Sequence, residues 1–266
     1  MKRILLVFFI MLGLGIIFPI VCKAANENEA EDYQLLKQII VTEFSDQVPH
    51  EWGGTVSGVV THLKTDEKVL AIGLNVCGAK GDGQDEWIRF FDAEKIPVTL
   101  FVCGEWIDRN ASMLKTLAAN PLFEIANQGL KNKPCSVNGR TAGGKEGTRN
   151  IEEVFAEIEK GARKIESIAG VLPHFYRSGD GYYDEVAVRI VKALGYEAVG
   201  DTGGTVGASS DQKKVFRAFM NPVAGAIAIV QANSFSDTSA ESITQAIRKL
   251  RIRGYKFAKL SDYPLE

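Results

Sequence analysis

The chain has 266 residues, 45% of them hydrophobic and 24% charged, and 31 basic against 33 acidic side chains leave a net charge of −2. That is an ordinary globular balance, and the length suits a single α/β domain. A faintly acidic chain without blocks of like charge lacks the footprint of a nucleic-acid binder and any basic patch for a membrane surface.

Lys2 and Arg3 precede an uncharged run from Ile4 to Val21, followed by Cys22-Lys23-Ala24-Ala25. This order describes a secretory signal cleaved after Ala24 or, since the run is almost long enough to span a bilayer, an uncleaved anchor. Either puts the rest of the chain outside the cytoplasmic membrane, secreted or extracytoplasmic. Without residues 1–24 the net charge is −5. Pro19-Ile20-Val21 lacks the small residue that precedes a lipidated cysteine, so Cys22 is not read as a lipid anchor. Residues 25–50 are a polar lead-in with one short helix around Tyr33–Phe44, and residues 51–266 form the domain.

From Lys68 onward strands alternate with helices. Val69–Leu74 reads as a buried strand closed by Cys77-Gly78, Asp85–Glu94 as a helix, and Pro97–Val102 as a strand. Trp106–Asn120 is helical and Phe123–Asn127 a strand. Asn150–Ile168 is an amphipathic helix with Asn150 as N-cap. His174–Arg177, Glu197–Gly200, Ala226–Gln231 and Lys256–Leu260 are strands, with helices at Asp184–Leu194 and Ser239–Arg253. Repeated βα units give a mainly parallel sheet, open or closed into a barrel.

Ligands in such folds sit at the carboxyl ends of the strands. The residues there are Asn75, Cys103, Gln128, Asn132, Arg177, Asp201, Gln231 and Asn233, an amide-rich set without histidine. His50, His62 and His174 form no ligand pair. Cys77, Cys103 and Cys135 allow one disulfide and one free thiol, and their spacing is not that of a zinc site, so each is read first as a small buried apolar residue. Trp52, Trp87 and Trp106 are read first as core and second as stacking faces for a sugar.

Five segments in order resemble the motifs of the polysaccharide deacetylase (NodB-homology) family. They are Glu51–Thr61 with Thr65–Ile72, Phe123–Gly139, Tyr176–Gly179, Gly200–Thr205, and Ile227–Asn233 with Lys259-Leu260. The resemblance implies a distorted (β/α) barrel of mainly parallel strands. It also implies hydrolysis of acetyl groups on chitin-like or peptidoglycan sugars, using a zinc-like divalent ion, an Asp base and a His acid. On that resemblance the base falls on Asn75 and the next metal position on Val76, the two metal histidines on Gln128 and Asn132, and the acid on Gln231. Arg177 and Asp201 match the residues that orient the base and tune the acid. Gly73-Leu74 stand where the family usually has Thr-Phe.

A neutral amide neither takes a proton from water nor holds a zinc-like ion well. The expectation is therefore a non-catalytic relative without bound metal, binding a peptidoglycan or chitin-like glycan through Asn75, Gln128, Asn132, Arg177, Asp201, Gln231 and Asn233. Two alternatives stay open. One is an active N-deacetylase with relocated ligands drawn from Cys77, Cys103, Cys135, Asp82, Asp180 and Asp201; the other is a structural partner in a cell-envelope or spore assembly, with no small ligand.

Overall fold

The structure, a computed structural model, describes residues 17–77, 84–202, 219, 222–231 and 237–266. The expected alternation is present as β1 (Val69–Val76), α2 (Gln84–Ala93), β2 (Val98–Val102), α3 (Gly104–Ala118) and β3 (Phe123–Asn127). A two-stranded hairpin, β4 (Thr141–Ala142) and β5 (Lys145–Glu146), leads to α4 (Ile151–Ala169) and β6 (Phe175–Tyr176). Then come α5 (Glu185–Ala193), β7 (Glu197–Ala198), β8 (Ala226–Gln231), α6 (Asp237–Ile252) and β9 (Lys256–Ala258). The Asn150 side chain caps α4, accepting from Glu153 N at 2.8 Å, and Asp184 caps α5 through Ala187 N at 2.7 Å.

Three expectations shift. The lead-in is not a loop with a short helix: α1 runs Ile17–Phe44 through Ala24 and the acidic stretch. From Lys23 to Phe44 the chain has neither Gly nor Pro, and Pro19 falls in the first turn, where its missing N–H costs nothing. No described helix is long and apolar enough to cross a membrane. The expected strand His174–Arg177 narrows to Phe175–Tyr176, and Glu197–Gly200 narrows to Glu197–Ala198. The β4–β5 hairpin was not anticipated; Gly143 and Gly144 turn it with φ of 56° and 83°, as a tight hairpin requires.

The main sheet runs β7-β6-β3-β2-β1-β8, all parallel, and β9 pairs with the first half of β1. Its curl is closed by residues 60–63, which bond Ala198 and Gly200 on one side and Gly225 on the other. This is a distorted (β/α) barrel. Outward residues of the strands pack under the helices with Trp87, Trp106, Phe91 and Leu114, while inward ones form a separate core of Val69, Ala71, Phe101, Ala126, Phe175, Val199, Ile227 and Ile229.

Candidate functional site

Side chains on a strand alternate between faces, so one further step along the inward face predicts what crowns the barrel interior. After Ala71 and Gly73 comes Asn75; after Ala126, Gln128; after Phe175, Arg177; after Val199, Asp201; after Ile229, Gln231. Five of the expected residues thus follow the inner core at one end of one sheet. Asn75 and Gln231 are direct register partners on neighbouring strands. The ladder continues just past the strand ends, where Gln128 N donates to Val102 O at 2.8 Å and Arg177 N to Asn127 O at 2.9 Å. Asn132 lies in the following loop with φ 55°, its backbone oxygen against Gly179, a position with no room for a β-carbon. Asn233 lies outside the described residues.

Arg177, 1% exposed, donates from Nη1 to Val199 O at 3.1 Å and from Nη2 to Asp201 Oδ2 at 3.0 Å. Gly181 rests on the guanidinium, so closely that a β-carbon there would fall 2.5 Å from Nη2. These two residues form an ion pair whose arginine is buried and whose aspartate is partly exposed. The amides differ. Asn75 and Gln128 are 3% and 2% exposed, and both polar atoms of the Asn75 side chain, Gln128 Oε1 and Asn132 Oδ1 are buried without a hydrogen-bond partner. Each such orphaned group costs about 1–3 kcal/mol unless water or a ligand satisfies it.

Two residues that hold this edge were missed from sequence. Glu157 accepts from Lys131 N at 2.8 Å and Lys133 N at 3.1 Å, fixing the loop that carries Asn132. Burial pushes its carboxyl above the usual range and outweighs the opposing pull of the Lys133 and Lys131 amides. Asn127 donates to Ile158 O and accepts from Gly129 N, both at 2.8 Å, at the point where the chain leaves β3. The available signal was Glu157 itself, an acid on the apolar stripe of α4 with Val154, Ile158 and Gly161.

The candidates for relocated ligands are engaged elsewhere. Cys77 and Cys103 form a disulfide across the carboxyl ends of β1 and β2, with Cα atoms 5.4 Å apart, so they are not the separate buried thiols expected. Adjacent strands bring together two cysteines that follow their ends, a proximity that spacing along the chain did not reveal. Cys135 is a free thiol, fully buried, and burial raises its pKa well above the usual thiol range. Asp180 pairs with Lys145 at 3.2 Å, Asp201 with Arg177, and Asp82 lies outside the described residues. His62 pairs with Ala226 and His174 with Glu197 at the amino ends of the strands, away from the crown. Among the described residues no three His, Cys, Asp or Glu side chains come together as a metal site. Neutral amide oxygens such as those of Gln128 and Asn132 are a poor match for the zinc-like ion that the resemblance would place there, since such ions favour imidazole, thiolate and carboxylate.

Trp87 and Trp106 are fully buried in the outer core and present no stacking face. Trp52 is half-exposed beside Tyr182.

A polysaccharide deacetylase family profile matches residues 63–199, a little over half of the chain. No curated protein sequence matches significantly. Among solved structures, wild-type BA3943, a CE4 family pseudoenzyme from Bacillus anthracis, superposes with a TM-score of 0.64 at 17% identity, covering 82% of this chain and 70% of its own. A mutant of that protein is described as having restored enzymatic activity. A family 4 carbohydrate esterase from Bacillus anthracis gives 0.63 at 21% identity, covering 81% of this chain and 96% of its own. The Bc1960 peptidoglycan N-acetylglucosamine deacetylase gives 0.64 at 15%, covering 78% and 92%. The profile match and the shared curled barrel agree with the five ordered motifs: this chain belongs to the polysaccharide deacetylase family.

Proposed function

We propose that the chain is an exported, non-catalytic polysaccharide deacetylase that binds an N-acetylated glycan of peptidoglycan or chitin-like type in the polar crown of its barrel. The observation that carries this reading is Asn75, buried at the carboxyl end of β1 with neither amide atom bonded to protein. It stands where the resemblance expects a base, yet a carboxamide has no basicity near neutral pH. Loss of a general acid or base costs about 10²–10⁴-fold each, and Gln231 beside it cannot shuttle a proton either. What amides do well is donate and accept at once, as a sugar's hydroxyl and acetamido groups require. Export is supported by the Cys77–Cys103 disulfide, a bond that persists in oxidising compartments.

The test is threefold on the purified protein: metal analysis, acetate release from acetylated chito-oligosaccharides and peptidoglycan, and glycan binding with and without a chelator. Glycan binding that ignores the chelator, without acetate release, is the expected result. Stoichiometric metal together with acetate release would overturn it, and failure to bind either glycan would remove the binding role.

A further inference from the structure

Beside the crown lies a half-exposed aromatic surface. The rings of Trp52 and Tyr182 are 5.8 Å apart and tilted by 51°; Trp52 is half-exposed and Tyr182 is 40% exposed. The Arg140 guanidinium carbon lies 6.0 Å from the centre of the Trp52 ring, and Nη1 donates to Glu51 O at 3.4 Å. Among the described residues no carboxylate pairs with Arg140. Its neighbours along the chain, Lys133, Lys145 and Arg149, each have one, in Glu153, Asp180 and Glu146.

This cluster is tied to the crown by backbone. Gly53 and Tyr183 exchange hydrogen bonds at 3.0 and 2.9 Å. A β-carbon on Gly54 would stand 3.4 Å from Gly181 O, and Gly181 rests on the Arg177 guanidinium. On its other side Gly54 O abuts Gly200, next to Asp201. Trp52 therefore sits at the rim of the polar crown, two residues from a segment wedged beside the Arg177–Asp201 pair.

Half-exposed aromatic faces offer a surface for the C–H face of a pyranose, and a guanidinium lying over one of them offers a forked pair of donors to an oxyanion. We propose that Trp52, Tyr182 and Arg140 form a rim subsite for a pyranose carrying a carboxylate, next to the N-acetylated sugar held in the crown. The inference rests on the glycan-binding reading and narrows it, because a neutral chitin-like chain offers Arg140 no oppositely charged partner. The carboxylate can come from a lactyl ether, as on the muramic unit of peptidoglycan, or from a uronic acid.

Calorimetric titration of the purified protein with three tetrasaccharides separates these cases: chitotetraose, an alternating N-acetylglucosamine–N-acetylmuramic acid chain, and an alternating N-acetylglucosamine–glucuronate chain. At least one acidic chain should bind about tenfold more tightly than chitotetraose, the scale of one charge-assisted contact, and the tighter one identifies the source of the carboxylate. Arg140→Gln should erase that preference, weakening the acidic chain about tenfold and chitotetraose by much less, since only the acidic chain gives the guanidinium an ionised partner. Trp52→Ala should weaken all three. Equal affinities in the unmodified protein, or a preference that survives Arg140→Gln, would overturn the rim subsite while leaving the crown intact as a glycan site. Absence of binding to all three would overturn both.

Discussion

The ring of Phe101 occupies the space that a side chain on Gly73 would need: a β-carbon at Gly73 would lie 2.9 Å from Phe101 Cε2 and 2.5 Å from Ile229 Cδ1. The two residues are on neighbouring strands, two positions below the crown on the β1 side, where Asn75 pairs with Gln231. Glycine here is needed for close packing against Phe101, which is fully buried. Gly73→Thr, the residue usual in the family, should destabilise the protein by about 1–3 kcal/mol through overpacking. Combining it with Phe101→Leu should recover most of that loss, because the two changes share one space and their effects are not additive. Urea denaturation of the four proteins measures the coupling. Simple additivity would show that Phe101 and Gly73 do not compensate each other.

The Cys77–Cys103 bond closes a loop of 26 residues that spans α2 and ties together the ends of the two strands bearing Asn75 and Phe101. Chain-entropy arguments give such a crosslink about 3–4 kcal/mol, which engineered cases often fail to reach. Replacing both cysteines with serine should lower the denaturation midpoint accordingly, and a reducing agent should lower the midpoint of the unmodified protein but not of the variant. Mass analysis under non-reducing conditions should find Cys135 as the one free thiol among the three. A midpoint indifferent to reductant would remove the bond from the account of stability.

Glu157 gives the protein a pH signature whose sign is fixed by its raised pKa. A carboxyl that protonates more easily folded than unfolded favours the fold below its unfolded value, about 4.3. That contribution is lost as pH rises through the higher folded value. Glu157→Gln keeps an oxygen for the Lys131 and Lys133 amides but does not titrate. The variant should therefore gain stability relative to the unmodified protein on going from acid to neutral pH. Glu157→Ala should cost about 1–3 kcal/mol, with the larger cost at acid pH, since the Lys131 and Lys133 N–H groups lose their acceptor. If the Gln variant instead loses ground as pH rises, the loop amides hold Glu157 ionised and burial does not dominate.

Much of this was legible in the sequence because the crown follows from counting. Val69–Val76 and Ala226–Gln231 are continuous apolar runs of strand length, and the polar residue that ends each inward-facing series is the one presented to the interior. Position along the chain also marked Arg177 and Asp201, though not that each is the other's ion-pair partner across β6 and β7. Pairing between elements is what the linear pattern leaves out. The disulfide joins cysteines that are 26 residues apart but on adjacent strands, and Arg140 meets Trp52 across 88 positions. Glu157 does not stand out along the chain, because one acid on the buried stripe of α4 leaves its apolar spacing intact. The Gly143-Gly144 turn was readable in principle, but its flanking strands are too short to show alternation.

The strongest demand on the non-catalytic reading is that the crown should accept its missing chemistry back. The barrel still presents the matched positions at one edge, with Asn75 and Gln231 in register and Gln128 anchored by Val102 O. Restoring the acid, the two histidine ligands and the base together, with Val76 kept (Asn75→Asp, Gln128→His, Asn132→His and Gln231→His), should introduce binding of one zinc ion, measured by calorimetry, and acetate release from acetylated chito-oligosaccharides. Gln128→His with Asn132→His alone should take up zinc more weakly and release no acetate, because two imidazoles supply neither the carboxylate base nor the proton donor. Each imidazole is bulkier than the amide it replaces, so the thermal midpoint of every variant is measured alongside. A folded fourfold variant that takes up no zinc would mean that these four positions do not make a metal site while position 76 is valine. The departure from the family's pattern would then reach beyond the exchange of these four side chains, to Val76 or to the shape of the barrel mouth.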